Sequence, residues 1–137
     1  MKQKYYLDTC IWRDYYENRS DKFRPLGEWA LELLNLIIKN KDEILVSELV
    51  IKELGTEYSK GRIKDLFEIN GVTILFIPTL QQQRFEAIKL SQKRKVHASD
   101  ALHAVLARDN KAILVSRDNH FLELLDIVDV KKPEDLI

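Results

Sequence analysis

The chain has 137 residues, 45% of them hydrophobic and 32% charged, a length and balance that suit one domain, 1–137, with a single core and exclude a disordered or membrane-embedded polypeptide. Its 22 basic and 22 acidic side chains cancel, which excludes a global basic field for nucleic acid but leaves room for a local patch. The lone Cys10 excludes an intramolecular disulfide, no apolar leader precedes Asp8, and Glu32 and Asn35 interrupt the greasiest stretch, so a cytoplasmic protein without a membrane span is expected.

Tyr5, Tyr6 and Leu7 are bulky, strand-favouring and unbroken by polar residues, the pattern of a strand buried on both faces, and they stop at Asp8. Ile11, Trp12, Tyr15 and Tyr16 fall at helical spacing over residues 11–17. Pro25 suits the first position of a core helix whose stripe is Leu26, Trp29, Ala30, Leu33, Leu34 and Ile37, ending near Asn40. Residues 43–46 read as a second buried strand, and Ser47 can cap a helix that runs to Leu54 and stops at Gly55. An amphipathic segment follows over 57–70, carrying Tyr58, Ile63, Leu66 and Phe67.

Residues 72–77, β-branched and aromatic between Gly71 and Pro78, form the clearest strand. Thr79 is expected to cap the next helix, which ends in Lys93-Arg94-Lys95, and Ser99 to cap a small apolar helix over 101–107. A strand over 112–115 ends at Ser116, a short helix covers 121–125, and a last strand covers 127–130. Strands alternating with helices argue an α/β fold, a central parallel sheet flanked by helices with right-handed crossovers.

Carboxylates recur where this fold collects chemistry, outside the C-terminal ends of parallel strands. Asp8 ends the first strand, and Glu53 shares a helix stripe with Leu49, Val50 and Leu54. Asp100 opens the apolar helix, and Asp118 lies two residues beyond Ser116. Singly, each has a structural reading: Asp8 as a helix cap, Asp100 as a complement to the helix dipole, Asp118 as a turn residue, and Glu53 as half of an ion pair. Together they can reach one crevice. Converging carboxylates repel one another unless a cation joins them, and oxygen-only ligation points to Mg²⁺ or Mn²⁺. Such an ion suits phosphodiester hydrolysis by an activated water.

Four segments carry a family resemblance: Leu7-Asp8-Thr9, the Ser47 to Leu54 stretch containing Glu53, Ser99-Asp100-Ala101-Leu102-His103-Ala104, and Leu114 to Phe121 with Ser116 and Asp118. In order and spacing they resemble the motifs of PIN-domain ribonucleases, above all the VapC-type toxins of toxin–antitoxin systems and their stand-alone relatives. The tail Lys132 to Leu136 is similar to the family's last turn. The resemblance implies a Mg²⁺- or Mn²⁺-dependent endoribonuclease with Asp8, Glu53, Asp100 and Asp118 as catalytic and metal-binding residues and Thr9 and Ser116 as supporting groups. It also implies an RNA substrate, a cognate antitoxin covering the crevice and a homodimer. Cys10, where many members have Asn or Ser, and His97-Ala98-Ser99, where a proline is frequent, depart from the pattern without removing an acidic ligand.

Lys93, Arg94 and Lys95 precede Asp100 and, with Arg13, are candidates to hold phosphate; the competing reading is that Lys93 to Lys95 complement a helix C-terminus in water. His97, His103 and His120 match no zinc spacing, and His103 reads as a satisfied core residue. Trp12, Tyr15, Tyr16 and Trp29 could stack bases but sit at core spacing. Glycine-rich nucleotide loops are absent. The rival of another class is a catalytically silent PIN-like module that binds RNA or a protein.

Overall fold

The computed structural model describes residues 2–137. Tyr5, Tyr6 and Leu7 are buried because their strand, β1 (Lys4–Leu7), is the middle of five parallel strands ordered β3-β2-β1-β4-β5. β2 (Glu43–Ser47) and β4 (Ile113–Val115) flank it, with Tyr6 in register with Leu45 on one side and Leu114 on the other. β3 (Thr73–Ile77) and β5 (Val130–Lys131) form the edges. The chain builds outward from β1 to β3, then returns to place β4 on the other side of β1. That reversal leaves a crevice outside the ends of β1 and β4, where Asp8 and Ser116 emerge.

Helices cover the sheet: α1 (Thr9–Glu17), α2 (Leu26–Asn40), α3 (Glu48–Leu54), α4 (Lys60–Phe67), α5 (Gln81–Arg94) and α6 (Ala98–Asp109). Ala30, Leu33, Leu34 and Ile37 of α2 are buried as their spacing predicts, and α6 is buried continuously from Ala101 to Ala107. Trp12 is fully enclosed and meets Phe67 edge to face at 5.0 Å, so it is a core residue. Where α1 passes to α2, a Cβ on Gly27 would lie 2.4 Å from the Asn18 Cα, so only glycine permits this approach. Across the same corner, the Arg117 Nε lies 3.3 Å from Asp14 and the Nη2 lies 2.8 Å from Glu134, while the guanidinium sits over the Trp29 ring. This nearly buried network ties the exit of β4 to α1, α2 and the C-terminal turn Pro133–Asp135.

Several sequence-expected boundaries differ. Pro25 occupies the N-cap position of α2 rather than its first turn. The N–H groups of Thr56, Glu57 and Tyr58 bond back to Glu53 and Leu54 carbonyls, so α4 starts only after the Ser59 cap and is shorter than the 57–70 segment. Thr79 does not cap α5; Leu80 does, its N–H bonded by the Gln83 side chain at 2.8 Å. Ser99 does not cap α6, because Lys95 turns left-handed and only Lys95, Val96 and His97 separate the helices, which puts Ser99 inside the first turn. The 121–125 helix is a 3₁₀ turn over Asn119–Leu124. The last strand shifts to Val130–Lys131, since the Ile127 and Val128 N–H groups bond back to Leu124.

Candidate metal centre

Asp8 is only 7% exposed, and its two oxygens have different duties. Oδ1 accepts the Thr9 N–H at 2.8 Å, capping α1, while Oδ2 accepts the Ser116 hydroxyl at 2.8 Å. The Asp118 N–H donates to the same Ser116 oxygen at 3.0 Å, so one hydroxyl ties the ends of β1 and β4 together. The capping reading and the site reading of Asp8 therefore coexist. Cys10 Sγ also lies 3.4 Å from Asp8 Oδ2; burial first and the Asp8 charge second push its thiol pKa up, which keeps it protonated.

Glu53 leaves α3 on the side of its buried Val50 and Leu54 and is held by two bonds to Oε1, from the Thr9 hydroxyl at 2.6 Å and the His103 Nε2 at 2.8 Å. His103, 1% exposed on α6, has its Nδ1 2.6 Å from the Tyr6 hydroxyl, which lies 2.6 Å from the Ser47 hydroxyl. Ser47 in turn accepts the Val50 N–H as the cap of α3. With Ser47 donating to Tyr6 and Tyr6 donating to Nδ1, each hydroxyl donates once and the Nε2–H is left for Glu53. Burial works against the Glu53 carboxylate, but the His103 and Thr9 bonds outweigh it and hold its pKa below the ordinary range.

Asp100 sits in the first turn of α6, and Asp118 caps the 3₁₀ turn by accepting the His120 N–H at 2.9 Å. Burial first, then the charges of Asp118 and Asp8, push the Asp100 pKa up. Asp8, Glu53, Asp100 and Asp118, with Thr9 and Arg13, line one open cleft of about 270 Å³. Its donors fit a hard divalent cation: four carboxylates line it, and burial, then the charges of Asp118 and Asp8, disfavour the Asp100 carboxylate, a cost that a cation offsets. Donor atoms of Asp8, Glu53 and His103 lie within 4.8 Å of one another, as do those of Asp100, Asp118 and His120. The Nε2–H of His103 donates to Glu53, so in the first group it would serve as an orienting partner of a cation held by the carboxylates.

Among the cations expected to hold phosphate, Arg13 lines the cleft, with Nη2 3.4 Å from the Glu53 carbonyl and Nε 3.3 Å from Glu57. Arg94 turns onto Asp126 at 2.8 Å and the Glu123 carbonyl at 3.0 Å, while Lys93 and Lys95 do not line the cleft. His103 is the satisfied core residue that the sequence led one to expect, but its partners Tyr6 and Glu53 and the place of His120 beside Asp118 were not foreseen. The available signal was a lone histidine on a wholly apolar helix face, which requires a polar partner somewhere.

A PIN domain model matches residues 5–125. Among solved structures, the chain is similar to VapBC2 from Rickettsia felis bound to a promoter DNA fragment, at 19% identity and a TM-score of 0.69, covering 95% of this chain and 98% of that one. It is also similar to a toxin–antitoxin complex from Klebsiella pneumoniae, at 19% identity and a TM-score of 0.67 over 94% and 97% of the two chains. VapBC-1 from nontypeable Haemophilus influenzae matches at 16% identity and a TM-score of 0.65 over 96% and 99%. No curated protein sequence matches. The family model covers most of the chain, and the parallel five-stranded sheet agrees with it: the chain belongs to the PIN domain family.

Proposed function

We propose that the protein is a Mg²⁺- or Mn²⁺-dependent endoribonuclease and the toxin of a toxin–antitoxin pair. The observation that carries this reading is the convergence of Asp8, Glu53, Asp100 and Asp118 on one cleft in a chain of a nuclease family. Asp8, Glu53 and Asp100 would hold the cation, with Asp118 orienting it or completing a second position. Thr9 and Ser116 keep Glu53 and Asp8 in place through the bonds described above. A bound divalent ion supplies charge neutralisation at a phosphoryl oxygen and a lowered pKa for a water in its shell.

The Thr9 and Ser116 hydroxyls donate to carboxylates, the Thr56 hydroxyl donates to the Glu53 carbonyl, and the Cys10 thiol is held protonated. In this reading water is the attacking group, and the cleft carboxylates would orient it and accept its proton. Among the described residues Arg13 is the one cation lining the cleft, and it would meet a phosphate of the RNA.

The toxin reading is supported by solved neighbours that are toxin–antitoxin complexes and VapBC assemblies. An antitoxin segment offering Arg or Lys would complement the acidic cleft. A homodimer is supported by large apolar residues exposed on β3 and α5, Phe76 at 62%, Phe85 at 56% and Ile88 at 47%. Purified protein should cleave end-labelled RNA with Mg²⁺ or Mn²⁺, stop in chelator, and lose at least about a hundredfold in rate in Asp8→Asn and Asp100→Asn. Cleavage that persists in chelator and in both variants would overturn the reading, and an intact cleft that binds RNA without cutting it would favour the silent module.

A further inference from the structure

His97 and His120 are 23 positions apart and match no zinc spacing, yet the fold brings their rings edge to face, 5.4 Å between centroids, beside the cleft. The His120 Nδ1 lies 3.0 Å from Asp118 Oδ1 and 3.5 Å from Asp100 Oδ2. Two donors bound about 2.1 Å from one ion at angles of about 90–110° stand ~3.0–3.4 Å apart, so these separations suit a shared ion as well as a hydrogen bond. The placement is also constrained: Asp118 accepts the His120 backbone N–H, which fixes carboxylate and imidazole on one turn.

The inner and outer histidines differ in what their nitrogens can do. Both His103 nitrogens are engaged, Nδ1 by Tyr6 and Nε2 by Glu53. His120 is 60% exposed and its Nδ1 faces the carboxylates of Asp118 and Asp100. A neutral imidazole nitrogen is a good ligand for first-row transition ions and a poor one for Mg²⁺, which prefers carboxylate, carbonyl and water oxygen.

We propose that Asp100, Asp118 and His120 form an outer cation position with a nitrogen ligand, which takes a first-row transition ion in preference to Mg²⁺. This rests on the reading of the cleft as a metal-dependent centre and adds the ion class of one of its positions. The His97 ring packs edge to face against the His120 ring.

Mn²⁺ binds most weakly in the first-row series, which makes it the most demanding probe. The full chain is loaded with Mn²⁺ alone and studied by pulsed electron paramagnetic resonance for ¹⁴N coupling, with affinity taken from loss of the free-ion signal. Wild type should show nitrogen coupling. In His120→Ala the coupling should vanish and Mn²⁺ affinity fall about tenfold, while Mg²⁺ affinity measured by calorimetry stays unchanged. Absence of coupling in wild type, coupling that survives His120→Ala, or an equal loss of Mn²⁺ and Mg²⁺ affinity would overturn the proposal. RNA cleavage is scored separately. Cleavage without nitrogen coupling removes this site and keeps the nuclease reading, whereas coupling without cleavage does the reverse.

Discussion

The most telling residue is His103, because its two nitrogens connect the core to the cleft. Tyr6 on β1 orients the ring from below, and the ring presents one N–H to Glu53. Replacing His103 with Leu removes the bond that most strongly favours the Glu53 carboxylate, so burial then dominates and its pKa rises. Divalent-cation affinity at neutral pH should fall about 10- to 100-fold by calorimetry, with partial recovery in His103→Gln, whose amide N can still donate. Unchanged affinity in His103→Leu would show that Glu53 needs no such support. Asp100 gives the opposite sign. The folded protein holds its proton more tightly than the unfolded chain, so this group costs no stability below the ordinary aspartate range. It costs progressively more as pH rises through the raised pKa. In chelator, Asp100→Asn should therefore melt higher than wild type at neutral pH, converge with it near about pH 3.5, and lose its advantage when Mg²⁺ or Mn²⁺ is added. A lower melting temperature at neutral pH would contradict this. Asp8, Asp100 and Asp118 were legible in the sequence because each sits at a strand end or a helix start, and Glu53 because it interrupts the apolar stripe of α3. His103 was legible only as a core residue, since its partners come from β1 and α3 and their meeting depends on register.

At the level of elements, the corner between α1 and α2 is where the sequence has least freedom. Gly27→Ala must displace the Asn18 backbone, and the expected loss is about 1–3 kcal/mol in urea unfolding, as for other overpacked sites. Arg117→Met leaves the buried Asp14 carboxylate and Glu134 without their cation, and the expected loss is about 3 kcal/mol, measured the same way. A change below ~0.5 kcal/mol in either variant would mean that the corner relaxes freely. Core stripes were readable because period alone sets them, as in α2. Boundaries were not, because caps are decided by competition between neighbours. Gln83 outcompetes Thr79 for the start of α5, and the short Lys95-Val96-His97 link forces α6 to begin before Ser99.

For the whole molecule, the alternation of strands and helices was enough to expect a parallel sheet, and the observed order supplies what alternation cannot, namely that β1 is central and β3 is an edge. That order explains the function of the opening strand: placing β1 at the reversal point puts Asp8 in the middle of the crevice. It also leaves Phe76 exposed on an edge strand, and Phe85 and Ile88 are exposed on α5. If these residues close a homodimer, light scattering should give twice the chain mass, and Phe85→Asp with Ile88→Glu should halve it without loss of secondary structure; a monomeric wild type would remove the dimer from the account. Among the described residues, no helix is long and apolar enough to cross a membrane. The central claim is that the acidic cleft directs water, not a ribose hydroxyl, at the RNA backbone. It is tested most directly by the chemistry of the ends left when the protein cuts RNA with Mg²⁺ or Mn²⁺. The account expects 5′-phosphate and 3′-hydroxyl ends that disappear with Asp8→Asn; 2′,3′-cyclic phosphate ends, or the same ends produced by Asp8→Asn, would contradict it.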